Sequence, residues 1–229
     1  MNKLTVSRGI EVGLVIALLT SAAFPFQMDQ KFAQAQQQNA QALRQYTWKS
    51  RTEIQRGGET RNVQLALQRY DMNGTVQKTT ISSTPQQEMP SRGLRRLIAE
   101  KKKENFMETM DGLSRLARSY SEIPPDAMQR FMATATITPD MSQQQKSFRI
   151  QGGNVLQPGD SMTVWVDAVT HKQRRVDIQT SLDRKPVRIV SNFQDLPAGP
   201  TYMARSVIEY PSEELRVITE NFDYERGTR

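Results

Sequence analysis

Apolar residues spaced two apart, broken by short polar links, mark the last third of the chain. Met162, Val164, Val166 and Ala168 fall on one side of an extended segment. Val176, Ile178, Thr180 and Leu182 repeat the period, as do Val187, Ile189, Ser191 and Phe193, then Tyr202, Ala204, Ser206, Ile208 and Tyr210. Alternation of this kind predicts strands with one buried face and one wetter face. The breaks are His171-Lys172, Asp183-Arg184-Lys185-Pro186 and Leu196-Pro197-Ala198-Gly199-Pro200. A fifth run from Leu215 to Tyr224 changes phase near Asn221, which predicts a bulge there. Sequential strands with short links predict an antiparallel meander.

The same period appears near the start. Tyr46, Trp48, Ser50, Thr52 and Ile54 alternate with polar neighbours, and Gly57-Gly58 predicts a hairpin. Val63, Leu65, Leu67 and Arg69 share one face of the returning strand. Asn73-Gly74 predicts a second hairpin into Val76–Ser82. Ahead of these strands, Gln36 to Gln45 reads as a short helix with Ala40, Leu43 and Tyr46 on one side.

Between the two strand regions the period becomes helical. Leu94, Leu97, Ile98 and Lys101 share one side. Phe106, Met107, Met110, Leu113, Leu116 and Ala117 form a second apolar stripe, weakened by Gly112. Ile123-Pro124-Pro125 stops that segment, and Pro125 suits the first turn of a further helix that turns Ala127, Met128, Phe131 and Met132 inward. Pro139 closes the helical region, and Phe148 and Ile150 are again in strand phase. Strands, a helical insertion over 91–133 and then more strands predict an α+β fold, with the helices on one face of an antiparallel sheet.

Composition narrows the picture further. A hydrophobic fraction of 37% and a charged fraction of 24% suit a globular chain of one domain and argue against a multi-span membrane protein. Lys3 and Arg8 precede an apolar stretch from Val12 to Phe26, shorter than the roughly 20 residues that span a bilayer. Two small-residue sites follow, Ser21-Ala22-Ala23 and Ala33-Gln34-Ala35. This pattern predicts an export signal over 1–35, cleaved or kept as an N-terminal anchor, ahead of one domain over 36–229. The expected address is the periplasm, with the protein soluble if the signal is cleaved and anchored to the inner membrane otherwise. The chain has no cysteine, which excludes disulfides, thiol catalysis and cysteine metal sites.

Candidate chemistry is sparse. The single histidine, His171, falls at an expected turn. Asp160, Asp167 and Asp183 stand at strand ends, where turn capping is the ordinary role. Gly152-Gly153 lacks the helix start of a phosphate loop. No catalytic residue, metal or cofactor is expected. A net charge of +7 and a basic run of Arg92, Arg95, Arg96, Lys101, Lys102 and Lys103 suit an anionic membrane surface or an inner-membrane protein, or simply a solvated helix face. Export speaks against nucleic acid as the partner.

Several segments together resemble a known family. They are Tyr46-Thr47-Trp48-Lys49-Ser50-Arg51-Thr52-Glu53, then Arg69-Tyr70-Asp71 with Asn73-Gly74, then Val164-Trp165-Val166-Asp167 with Thr170 and Arg174-Arg175, and last Glu220-Asn221-Phe222-Asp223-Tyr224. In these the chain resembles the outer-membrane lipoprotein-sorting superfamily, the LolA/LolB-like half-barrel proteins. The resemblance implies an unclosed, curved antiparallel sheet of about 9–11 strands, its concave side plugged by helices. It also implies a carrier for a lipid or acylated polypeptide, with acyl chains in an apolar cavity. Cavity candidates on that reading are Trp48, Leu65, Leu67, Met107, Met110, Leu113, Met128, Phe131, Met132, Val164 and Val166. The methionines serve equally as adaptable lining or as plain core. Arg51 and Arg69 are the candidates for a gating arginine. The alternatives to a carrier are a non-carrying periplasmic interaction or sensor module on the same fold, and a structural envelope protein.

Overall fold

The computed structural model describes residues 27–84, 94–140, 146–197 and 199–227. The expected signal over 1–35 lies mostly outside them, although Ala33-Gln34-Ala35 falls within the first helix, α1 (Gln27–Leu43).

Ten antiparallel strands form one unclosed, curved sheet. β1 (Tyr46–Arg56), β2 (Glu59–Tyr70) and β3 (Val76–Ser83) come first. Helices α2 (Leu94–Ser121) and α3 (Pro125–Thr134) follow. Then come β4 (Thr136–Asp140), β5 (Ser147–Gly153), β6 (Ser161–Asp167), β7 (Gln173–Leu182), β8 (Lys185–Asp195), β9 (Thr201–Tyr210) and β10 (Leu215–Arg226). Their order across the sheet is β3-β2-β1-β10-β9-β8-β7-β6-β5-β4. Every neighbour is a sequence neighbour except one pair, β1 with β10. The helical insertion therefore leaves from one edge of the sheet and returns at the other. A helix of α2's length reaches about 42 Å, comparable to the width of nine interstrand gaps.

Strand phase decides the rest. Ile54, Val217, Ile208, Ile189, Ile178 and Met162 sit opposite one another in a continuous row from β1 to β6. The helices cover this row, and Met110, Leu113, Tyr120 and Phe131 bury against it. Gly112 does not interrupt α2. A Cβ there would stand 3.1 Å from Leu182, so glycine lets the helix approach β7 closely. The opposite face is tiled by ion pairs, among them Arg51–Glu53, Arg205–Glu220 and Arg188–Asp177. Val207 and Ile218 stay buried on that outer face. The expected bulge is present, with a register shift between Thr47 and Lys49 opposite Phe222–Glu225 and Asp223 in the left-handed region at φ 51°.

Candidate functional site

The row next to the apolar one is polar. Thr52, Thr219, Ser206 and Ser191 sit opposite one another across β1, β10, β9 and β8, all buried. Ser191 Oγ donates to Ser206 Oγ at 3.0 Å. Beyond it, toward the start of β1, lie Ser50, Trp48, Gln68 and Asn221. The main core stops short of this end of the concave face.

A cavity of about 410 Å³ occupies the space. Its floor is Trp48, Gln68, Met203, Thr219 and Asn221 from β1, β2, β9 and β10. The walls come from three elements: Ala40, Leu43 and Arg44 at the end of α1, Arg118, Ser121 and Glu122 at the end of α2, and the β2–β3 hairpin. The volume falls in the range of small-molecule sites, about 300–1,000 Å³.

Four aromatic rings line it. Trp48 stacks on Tyr224 with centroids 5.5 Å apart and planes 6° from parallel. Tyr70 lies 5.2 Å from Trp48, and Tyr202 lies 4.4 Å from Tyr224. Burial pushes the Tyr70 and Tyr224 hydroxyls above the usual tyrosine range. These two phenols therefore stay neutral across the physiological range.

Several polar atoms here have no hydrogen-bond partner among the described residues: Trp48 Nε1, Ser50 Oγ, Thr219 Oγ1 and Asn221 Oδ1. Leaving such an atom unpaired costs about 1–3 kcal/mol. Three of these residues, Trp48, Thr219 and Asn221, line the cavity floor, where an indole N–H can donate, an amide oxygen accept and a threonine hydroxyl do either. The amide of Asn221 is held from its other side, donating from Nδ2 to the Met203 carbonyl at 3.0 Å.

One end of the cavity is secured by α1. Asn39 Nδ2 donates to the Thr201 carbonyl at 2.7 Å, and the Thr201 amide donates back to Asn39 Oδ1 at 2.6 Å. Thr201 Oγ1 donates to Asp195 Oδ1 at 2.5 Å, and Arg174 and Lys172 reach the same carboxylate at 2.8 and 3.1 Å. Burial acts to raise the Asp195 pKa, but the Thr201, Arg174 and Lys172 bonds outweigh it and hold the carboxyl at about 2.

The residues singled out from sequence divide into groups. Trp48 lies on the cavity floor. Met110, Leu113, Met128, Phe131, Val164 and Val166 form the packed core, with Met132 partly buried against it. Leu65 and Leu67 do not share a face with Trp48. They pair with Arg51 and Lys49 on the outer face, because Gln68 is the residue opposite Trp48. Met107 is half exposed. Arg51 and Arg69 are also on the outer face, opposite Leu65 and Thr47, and the arginines at the cavity are Arg44 and Arg118. Arg92 lies outside the described residues, and Arg95 falls in the first turn of α2. Arg96 pairs with Glu100 at 2.8 Å, and Lys101, Lys102 and Lys103 are exposed.

Sequence reading missed Arg44, Arg118, Tyr202, Thr219 and Asn221 as lining. The available signal was the run Trp48, Ser50, Thr52, in which hydroxyls continue the phase of a buried tryptophan. Three of the four segments that carry the family resemblance meet here, through Trp48, Tyr70 with Gly74, and Asn221 with Tyr224.

Comparison with known proteins gives the following. No protein-family model matches the chain, and no curated protein matches it. Among solved structures it is similar to a DUF1329 family protein from Desulfovibrio piger, with a TM-score of 0.43 and 9% identity over 88% of this chain and 93% of that one. It is also similar to a LolA superfamily protein from Nitrosomonas europaea, with a TM-score of 0.34 and 8% identity over 84% of this chain and 92% of that one. Among the described residues no group of three or more His, Asp or Glu could hold a metal, and no helix is long and apolar enough to cross a membrane.

Proposed function

We propose that the protein is a non-enzymatic carrier of the bacterial envelope that holds one amphiphile, a lipid or the acylated end of a polypeptide, in the cavity under α1. The observation that carries this reading is the cavity of about 410 Å³ at the end of the concave face that the core leaves unfilled. Its lining suits an amphiphile better than a purely apolar chain. Trp48, Leu43 and Met203 offer apolar surface, while Arg44, Arg118, Glu122 and the unpaired polar atoms of Thr219 and Asn221 suit a polar head. The acyl chain, on this reading, lies against the rings rather than among Met110, Leu113 and Met128, which are packed core. The envelope address rests on the export-like N-terminus.

A titration tests it. The chain has two tryptophans, so Trp165→Phe leaves Trp48 as the only indole. A long-chain acyl amphiphile should then shift or quench Trp48 emission saturably, at about one ligand per chain. No saturable change with any of a series of fatty acids and lysophospholipids would turn the reading to a non-carrying interaction module.

A further inference from the structure

Helix α2 carries two apolar stripes that do not line up. At about 100° per residue, Leu97, Ile98 and Lys101 centre roughly 130° around the helix from Phe106, Met110, Leu113, Ala117 and Tyr120. The second stripe is the one that packs on the sheet. The first therefore cannot reach the core, and Leu97 and Ile98 are 63% and 54% exposed. Their exposure follows from the phase of the sequence and not from fraying.

The surroundings indicate what covers this face. Lys101 sits between Leu97 and Ile98 on the helix surface, Lys102 stands on the next flank, and both are exposed. The flank facing the sheet opens on a second cavity of about 350 Å³, lined by Lys102, Asn105, Phe106 and Thr109 of α2 with Arg56, Glu213 and Leu215. Its apolar surface is Phe106 and Leu215, and its rim carries Lys102 and the Arg56–Glu213 ion pair, closed at 3.2 Å. Exposed leucine and isoleucine beside Lys101 and Lys102, on a stretch where Arg95, Arg96, Lys101, Lys102 and Lys103 outnumber Glu100 and Glu104, match an anionic phospholipid surface. The side chains enter the headgroup boundary, and the ammonium groups reach the phosphates.

We propose that the first half of α2 docks the protein on an anionic bilayer through Leu97, Ile98, Lys101 and Lys102, with the Phe106–Leu215 cavity turned toward the membrane. This surface is separate from the cavity under α1, and it stands whether or not that cavity holds a ligand.

The absence of cysteine gives a direct test with the full chain. Leu97→Cys, labelled with an environment-sensitive fluorophore, should shift to the blue on vesicles of phosphatidylglycerol and phosphatidylcholine, and a lipid-embedded quencher should reach it. The same label at Val169→Cys, a position 79% exposed in the β6–β7 turn, should not respond. Leu97→Asp with Ile98→Asp should weaken vesicle binding by about tenfold or more without lowering the unfolding midpoint. Lys101→Glu with Lys102→Glu should weaken it too, most at low salt. The proposal is overturned if the label at position 97 stays unshifted on anionic vesicles or responds no more than the label at 169. It is also overturned if the label is already blue-shifted without vesicles, which would mean that the chain itself covers the face. A fall in sedimenting mass on Leu97→Asp would assign the face to a second copy and would likewise overturn it.

Discussion

Tyr120 Oη donates a hydrogen bond to Asp160 Oδ2 across 2.5 Å, and both residues are buried. The hydroxyl is also 2.8 Å from Thr180 Oγ1. The same carboxylate accepts the backbone N–H groups of Val155, Leu156 and Gln157 at 2.6, 2.9 and 3.0 Å. One carboxylate thus orders the loop before β6 and ties the end of α2 to β6 and β7. Burial, and then the neighbouring carboxylate, push the Tyr120 hydroxyl well above the usual tyrosine range, so it stays a donor. Tyr120→Phe should lower the unfolding free energy by about 1.5–3 kcal/mol in denaturant titration. Asp160→Ala should cost more, because it strips the partners from three buried amides as well. An effect below about 0.5 kcal/mol for Tyr120→Phe would remove this contact from the forces that seat α2.

The core and the surface of α2 should separate cleanly under substitution. Leu113 and Met110 are 1% and 4% exposed, while Met107 is 49% exposed. Leu113→Asp or Met110→Asp should cost at least about 4 kcal/mol, since each buries an unpaired carboxyl. Met107→Asp should change stability by less than about 0.5 kcal/mol. Thermal unfolding of the three variants checks the ordering.

Much of this fold was legible in the sequence, and the failures have physical reasons. Strand phase in the last third and in the first three strands follows from which side chains a half-buried sheet can hide, and alternation displays that directly. The pairing of β1 with β10 is different. It joins residues far apart in sequence, and no local period encodes such a partner. The sequence also suggested two helical stretches where α2 is one helix, because the stripe shifts phase between Lys101 and Phe106, and Gly112 weakened the second stretch. In the structure the shift becomes an exposed face, and Gly112 a close contact with Leu182. Pro139 suggested a boundary, yet it lies within β4, an edge strand, where a missing N–H is tolerated. The candidate site was half visible. The aromatic segments stood out, but Leu65 and Leu67 were grouped with Trp48 although they lie one register step away, on the other face.

Gly152 stands where β5 meets α3. A Cβ would come within 2.9 Å of the Phe131 ring and 3.3 Å of the Ala135 backbone. Phe131 is 1% exposed and has nowhere to move. Gly152→Ala should therefore destabilise by about 1–3 kcal/mol. Pairing it with Phe131→Leu should recover part of that loss, as measured by a double-mutant cycle in denaturant. Full additivity of the two changes would contradict the contact.

Acid should loosen the hold of α1. The Asp195 carboxyl is lowered from 3.8 to about 2 in the folded chain, so its stabilisation is complete above the ordinary carboxylate value and is lost as pH falls through about 2. Asp195→Asn should lower the unfolding midpoint at pH 7. The gap between the variant and wild type should then close between about pH 4 and pH 2. A constant gap across that window would show that the charge of Asp195 is not what secures Thr201 and, through it, Asn39 of α1.

Whether the space under α1 holds a molecule can be read by native mass spectrometry of the full chain purified from envelope fractions. Ala40 lines that space from α1. Wild type should carry a noncovalent adduct of lipid mass that organic extraction removes, and Ala40→Trp, which puts an indole into the cavity, should carry less of it while remaining folded. Bare wild-type protein, or an adduct undiminished in Ala40→Trp, would overturn the carrier reading.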